Sequence, residues 1–158
     1  DSAVLAAQRG LPYNLGLFIN PQADPRLIGL YRSRFHPSAL QPEPYAILTI
    51  SVFCADTQEQ AEALQLTFDL NLFRFFSGQS NGTSLTPQQA LTYPIGPREQ
   101  AFIASRRNSR AAGTPRQVRQ QVESLAALHN ADEVMAVTNI YYFEERKRSF
   151  QLLKEAFS

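Results

Sequence analysis

Cys54 is the single thiol of the sequence, and an activated thiol is the first nucleophile or metal ligand to seek. Its neighbours at two-residue spacing, Ala46, Leu48, Ile50 and Val52, are all apolar. The thiol therefore falls on the apolar face of a strand and reads as buried and inert. His36 and His129 flank different predicted helices, and neither stands at ligand spacing from Cys54, which argues against a zinc site. The seven glycines are scattered, so no nucleophile elbow, Walker loop or dinucleotide fingerprint occurs. No catalytic residue and no metal ligand are assigned on this basis.

Three polar groups remain. Thr138-Asn139, followed by Tyr141-Tyr142, lies at the carboxyl end of a predicted strand, where parallel α/β folds present ligand-binding groups. The same residues equally suit an ordinary strand end. Arg146, Lys147 and Arg148 read as a solvated helix face. Ser2, beside Asp1, could offer a hydroxyl and a backbone N–H to a phosphate, or serve as a plain helix cap.

The elements that must position these groups follow from periodicity and caps. Ala3, Val4, Ala6 and Ala7 begin an apolar helical pattern at once, ending at Gly10, so the chain reads as starting inside a larger architecture. Tyr13 to Ile19 predicts a buried strand. Asp24-Pro25 predicts a helix start, with Leu27, Ile28, Tyr31 and Phe35 at helical spacing. Tyr45 to Cys54 is the clearest strand: one face is apolar throughout and should meet helices. Thr49 and Ser51 on the other suggest a polar or ligand-facing interior. Asp56-Thr57-Gln58-Glu59 opens a long helix through Leu64, Phe68, Leu72 and Phe76. Residues 77–113 read as a flexible insertion carrying two short helices. Thr114-Pro115-Arg116-Gln117 starts another helix, with Val118, Val122, Leu125 and Leu128 inward. Glu133 to Ile140 predicts a third strand, and Glu144 to Phe157 a last helix with Phe150, Leu153 and Phe157 in register. Strands separated by helices imply parallel pairing, and three strands are too few to close a barrel.

Composition sets the outer bounds. The 158 residues suit one domain. With 44% hydrophobic residues, 11 Phe and 6 Tyr, the chain is no candidate for intrinsic disorder. A formal charge of +1 is too small for a phosphate-neutralising surface, so a nucleic-acid partner is not expected. No apolar run approaches a membrane span, and no secretory leader precedes the Asn81-Gly82-Thr83 sequon. A single cysteine fits a reducing cytoplasm.

Several blocks taken together resemble the C-terminal half of bacterial luciferase-like, FMN-dependent monooxygenases. They are Ala6-Ala7-Gln8-Arg9-Gly10-Leu11-Pro12, Tyr31-Arg32-Ser33-Arg34-Phe35, Cys54-Ala55-Asp56-Thr57 and Gly113-Thr114-Pro115-Arg116-Gln117-Val118. Ala131-Asp132-Glu133-Val134-Met135-Ala136-Val137-Thr138 and Arg148-Ser149-Phe150-Gln151-Leu152-Leu153 complete the series. The blocks keep the family's order and span nearly the whole chain. The resemblance implies the last three strands of a (β/α)8 TIM barrel, completed by a missing N-terminal half-barrel or by self-association. In such enzymes reduced FMN reacts with oxygen at the carboxyl ends of the strands, and a substrate such as an aldehyde is oxidised. The resemblance matches Ser2 to the last hydroxyl of the family's phosphate-binding turn, whose earlier residues are missing here. The histidine used near the flavin belongs to the absent half. Tyr141-Tyr142 departs from the family's more polar pattern, so no substrate contact is carried over. The parent would be an FMN-dependent monooxygenase served by a flavin reductase, whereas this chain alone would neither bind flavin nor turn over. The strand edges left by the missing half should make the chain a homo-oligomer; a non-catalytic half-barrel binding or assembly module is the alternative.

Overall fold

The longest strand organises everything else. In the computed structural model, which describes residues 2–158, β2 (Ala46–Cys54) is buried almost from end to end. Three shorter strands pair with it in parallel: β1 (Tyr13–Gly16), β3 (Arg110–Gly113) and β4 (Glu133–Val137). Thr49 of β2 stands beside both Gly16 and Met135, and Ser51 beside both Arg110 and Val137. A strand has only two edges, so β1 and β3 lie end to end on one edge of β2 and β4 lies on the other. The three expected strands are present, and all pairing is parallel.

Seven helices connect and cover the sheet: α1 (Ser2–Gln8), α2 (Leu27–Ser33), α3 (Gln58–Phe76), α4 (Pro87–Leu91), α5 (Pro97–Arg106), α6 (Pro115–His129) and α7 (Phe143–Ala156). The even-numbered side chains of β2, from Ala46 to Cys54, are at most 1% exposed and pack into one apolar core with residues of α1, α2, α6 and α7. On the opposite face Phe53 meets Phe68 of α3, with ring centroids 5.4 Å apart. Thr49 and Ser51, on that face, are also buried, and Thr49 donates its hydroxyl to Asn14 Oδ1 at 2.8 Å. No described helix is long and apolar enough to cross a membrane.

Local chemistry explains most boundaries. Thr57 and Gln60 form a complete capping box at the start of α3. Thr86 and Gln89 do the same for α4. Gly10 turns the chain out of α1 at φ 60°, where a Cβ would lie 2.6 Å from the His36 carbonyl oxygen, so only glycine fits.

Several expectations need correction. Residues 110–113, placed with the short helices, form strand β3, and β1 and β4 end earlier than expected. Asp24 accepts the Arg26 N–H at 2.9 Å, but that turn is not yet helical and α2 begins only at Leu27. On α6 the fourth inward position is His129, while Leu128 is 61% exposed. The buried face of α7 is Ser149, Leu152 and Ala156, and Phe143, Phe150 and Phe157 are left outside. On α3, likewise, Phe76 is exposed and Leu70 and Phe73 are buried.

The resemblance blocks meet one another in space. Asp132, just before β4, accepts the Ala46 N–H at 2.7 Å and pairs with Arg32 of α2 at 2.6 Å. Tyr31 donates to the Leu11 carbonyl and accepts the Tyr45 N–H. Ser149 accepts the Cys54 N–H at 3.0 Å, and Arg148 forks onto the Asp56 carboxylate. These residues tie strand ends to helices, which is structural work.

His129 illustrates a cost of that packing. Its ring is buried, its Nδ1 has no partner among the described residues, and burial holds its pKa below the usual 6.5. The unfolded chain therefore binds a proton that the folded chain resists, and stability falls as pH drops below 6.5 towards the lowered folded-state value. Urea midpoints measured down through that window should fall less steeply for His129→Gln than for the unaltered chain. An unchanged slope would show that the ring is not shielded.

Candidate functional site

Two clefts flank the sheet, one of them at the carboxyl end of β2, where parallel folds place their chemistry. The first, about 400 Å³, lies between the end of β2 and the first turns of α3 and α7, and is lined by Cys54, Asp56, Gln60, Leu64, Glu145 and Arg148. Burial, with Asp56 second, pushes the Cys54 thiol up to about 11. It stays protonated at neutral pH, in keeping with an inert thiol. The guanidinium of Arg148 holds the Asp56 carboxyl below the usual carboxylate range. Arg148, expected as a solvated charge, is thus half-exposed and engaged.

The second cleft, about 450 Å³, lies between α3, α5, β3 and α6. Its wall carries the one fully buried ion pair described, Arg110 Nη1 to Asp69 Oδ1 at 2.7 Å, with the side chains 3% and 1% exposed. Arg110 also donates its Nε to the Arg106 carbonyl. Burial raises the Asp69 carboxyl while Arg110 pulls it back. Gln121 clamps the Ala112 N–H and carbonyl, both at 3.0 Å, closing the edge of β3. Sequence reasoning passed over Asp69 and Arg110. The available signal was an aspartate set between Phe68 and Leu70 on a helix.

The sequence candidates are not gathered into one site. Ser2 stands exposed in the first turn of α1, which packs on α2 and β1. Thr138 is buried and donates to the Val52 carbonyl at 3.1 Å, extending the β2–β4 pairing. Asn139 is exposed. Tyr141 and Tyr142 meet edge to face at 5.0 Å, with Tyr142 bonded to Gln88 of α4. Ser2 and the 138–142 segment thus belong to elements on opposite edges of β2. Among the described residues no cluster of His, Cys, Asp or Glu is placed to hold a metal.

Parallel strands with helices on the outer face, and with β1 and β4 flanking β2, define part of a (β/α) barrel. Comparison with known proteins extends this. No protein-family model matches the chain. YceB of Bacillus subtilis strain 168, itself uncharacterised, is 35% identical over 157 residues, which is 99% of this chain and 47% of that protein. A luciferase-like monooxygenase of Escherichia coli K12 is 31% identical over 151 residues, 96% of this chain and 45% of its own length. The crystal structure of apo-MsnO8 matches with a TM-score of 0.87 at 32% identity, over 98% of this chain and 47% of that one. The oxygenating constituent of 3,6-diketocamphane monooxygenase from Pseudomonas putida, solved with FMN, shares the fold at 18% identity and a TM-score of 0.54, over 97% of this chain and 43% of its own. The chain spans about half the length of the curated relatives it matches. Sequence and fold together identify it as about half of a luciferase-like protein.

Proposed function

We propose that this chain is the C-terminal half of the barrel of an FMN-dependent luciferase-like monooxygenase, inactive without its N-terminal half. The observation that carries the reading is an all-parallel sheet whose β4 edge is open, in a chain that matches its relatives over half their length. The outward edge of β4 has no partner strand among the described residues. Beside it an apolar groove of about 430 Å³ runs between α6, β4 and α7, lined by Val122, Val134, Leu153 and Phe157. Phe143, Phe150 and Phe157 are 60%, 46% and 47% exposed, and their seven-residue spacing makes one stripe on α7. Met135, on the inner face of the sheet, is 44% exposed. A second half-barrel would pair the edge and cover these side chains. Without it, the same surfaces favour self-association, so dilution should shift the sedimentation of the isolated chain from a dimer towards a monomer. A monomer at every concentration would contradict this.

The residues fit a flavin in part. Ser2 stands exposed in the first turn of α1, and the resemblance matches it to the last hydroxyl of a phosphate-binding turn. Reduced FMN supplies the activation of oxygen when bound. Ser2 would donate its hydroxyl to the flavin phosphate, and the strand ends would exclude water from the ring. A flavin reductase delivers the reduced cofactor.

The protein as translated, given reduced FMN, oxygen and an aldehyde, should oxidise the aldehyde. Ser2→Asp, which sets a carboxylate against the phosphate, should weaken FMN binding by at least about tenfold, roughly 1.4 kcal/mol, with an unchanged melting temperature. Unaltered binding in Ser2→Asp would remove Ser2 from the site. Absence of any flavin-dependent oxidation would overturn the reading.

A further inference from the structure

The Asn81-Gly82-Thr83 motif has no part in the flavin reading. It lies in the exposed loop between α3 and α4, and that loop is held in shape by α3. Arg74 donates to the Thr83 carbonyl at 3.3 Å and to the Gln79 carbonyl at 3.4 Å. Asn71 clamps the Leu85 N–H and carbonyl at 2.6 and 3.0 Å. Within the loop, the Asn81 carboxamide oxygen accepts the Thr83 hydroxyl at 2.6 Å and the Thr83 N–H at 3.4 Å. These two bonds close a ring of atoms that runs through the Gly82 peptide unit, and so bring the carboxamide carbon towards the Gly82 nitrogen.

The arrangement has the parts of an acyl-transfer site. Gly82 has no side chain to crowd its nitrogen, and nothing lies within 4 Å of where a Cβ would stand. Its N–H donates to no backbone carbonyl among the described residues. The two Thr83 donors meet the oxygen on which charge develops when the carbon becomes tetrahedral. Holding nucleophile and carbon in one pinned turn lowers the entropic cost of bringing them together. We propose that Asn81 is a self-modification site, at which the Gly82 nitrogen attacks Cγ with Thr83 stabilising the oxyanion. The new N–Cγ bond closes a succinimide as the Cγ–Nδ2 bond breaks, and Nδ2 leaves as ammonia with the proton given up by Gly82. Water then opens the ring to aspartate or isoaspartate, and nothing is oxidised or reduced. The product places a carboxylate two residues from the carbonyl that Arg74 holds, and adds one negative charge to a chain whose formal charge is +1.

The test holds the purified protein as translated at mildly alkaline pH, where the Gly82 nitrogen loses its proton more readily, and follows proteolytic peptides by mass. The Asn81 peptide should gain the mass difference between an amide and an acid, and separate into aspartyl and isoaspartyl forms. The Asn130-Ala131 peptide should stay unchanged, because the Ala131 N–H is held by the Ala126 carbonyl at 3.0 Å. Thr83→Val, at an exposed position where the melting temperature should not move, should slow the conversion by at least about fivefold. Thr83→Ser, which retains the hydroxyl, should keep most of the rate. In urea, where the turn is lost, the three chains should convert alike. An unconverted Asn81 would overturn the proposal. So would a folded Thr83→Val that converts as fast as the unaltered chain, or a Thr83→Val effect that survives in urea.

Discussion

Arg110→Met is expected to destabilise the fold by about 3–5 kcal/mol, because it leaves the Asp69 carboxylate buried without its cation. The pair is 2.7 Å apart and almost wholly shielded, so bulk solvent does little to weaken it. The loss extends beyond one contact. Arg110 opens β3, Asp69 lies on α3, and the intervening segment carries α4 and α5. The pair therefore closes the base of the whole excursion between β2 and α6. Asp69→Leu should cost a similar amount by orphaning the guanidinium. The double variant Asp69→Leu/Arg110→Met should be much less harmful than the sum of the two, since it removes both charges together. Urea unfolding of the three variants measures this coupling. Single variants losing under about 1 kcal/mol, the range of exposed pairs, would show that the pair is solvated.

Asp132→Ala is expected to cost about 2–3 kcal/mol, the penalty for leaving a backbone donor unmet and losing a charge-assisted hydrogen bond. One carboxylate oxygen serves both the Ala46 N–H at the start of β2 and the Arg32 guanidinium of α2. Arg32 continues to the Asn130 and Pro44 carbonyls. The ion pair is a quarter to a third exposed, so its Coulomb part is screened and the lost backbone bond dominates. Asp132→Asn, which retains an acceptor for Ala46, should recover about half. Denaturant midpoints that fall equally for Asn and Ala would assign the effect to charge.

These two positions differ in how far the sequence announced them. Asp132 lies in a resemblance block, and the capped, alternating β2 and the Thr57 helix start were readable from local pattern alone. β3 was not. Arg-Ala-Ala-Gly holds no β-branched residue, and what makes it a strand is pairing with β2 and an aspartate 41 residues away. The inward face of α7 was misplaced for a related reason. Phe150 and Phe157 outrank Ser149 and Ala156 in hydrophobicity, yet the small residues let α7 approach β2, where Ser149 meets the Cys54 N–H. The phenylalanines are then left exposed. Ser2 was singled out as a cofactor-binding candidate through the resemblance, and it rests on that alone. The second cleft depends on contacts between distant segments, which periodicity does not report.

The most direct measurement is an anaerobic titration of reduced FMN into the protein as translated, with the 158-residue chain titrated in parallel. The account predicts a translated protein about twice this length that binds reduced FMN at one site, and a 158-residue chain that binds none. Equal binding by the short chain would contradict the need for a second half. A translated protein of full barrel length that binds no flavin would contradict the monooxygenase assignment itself.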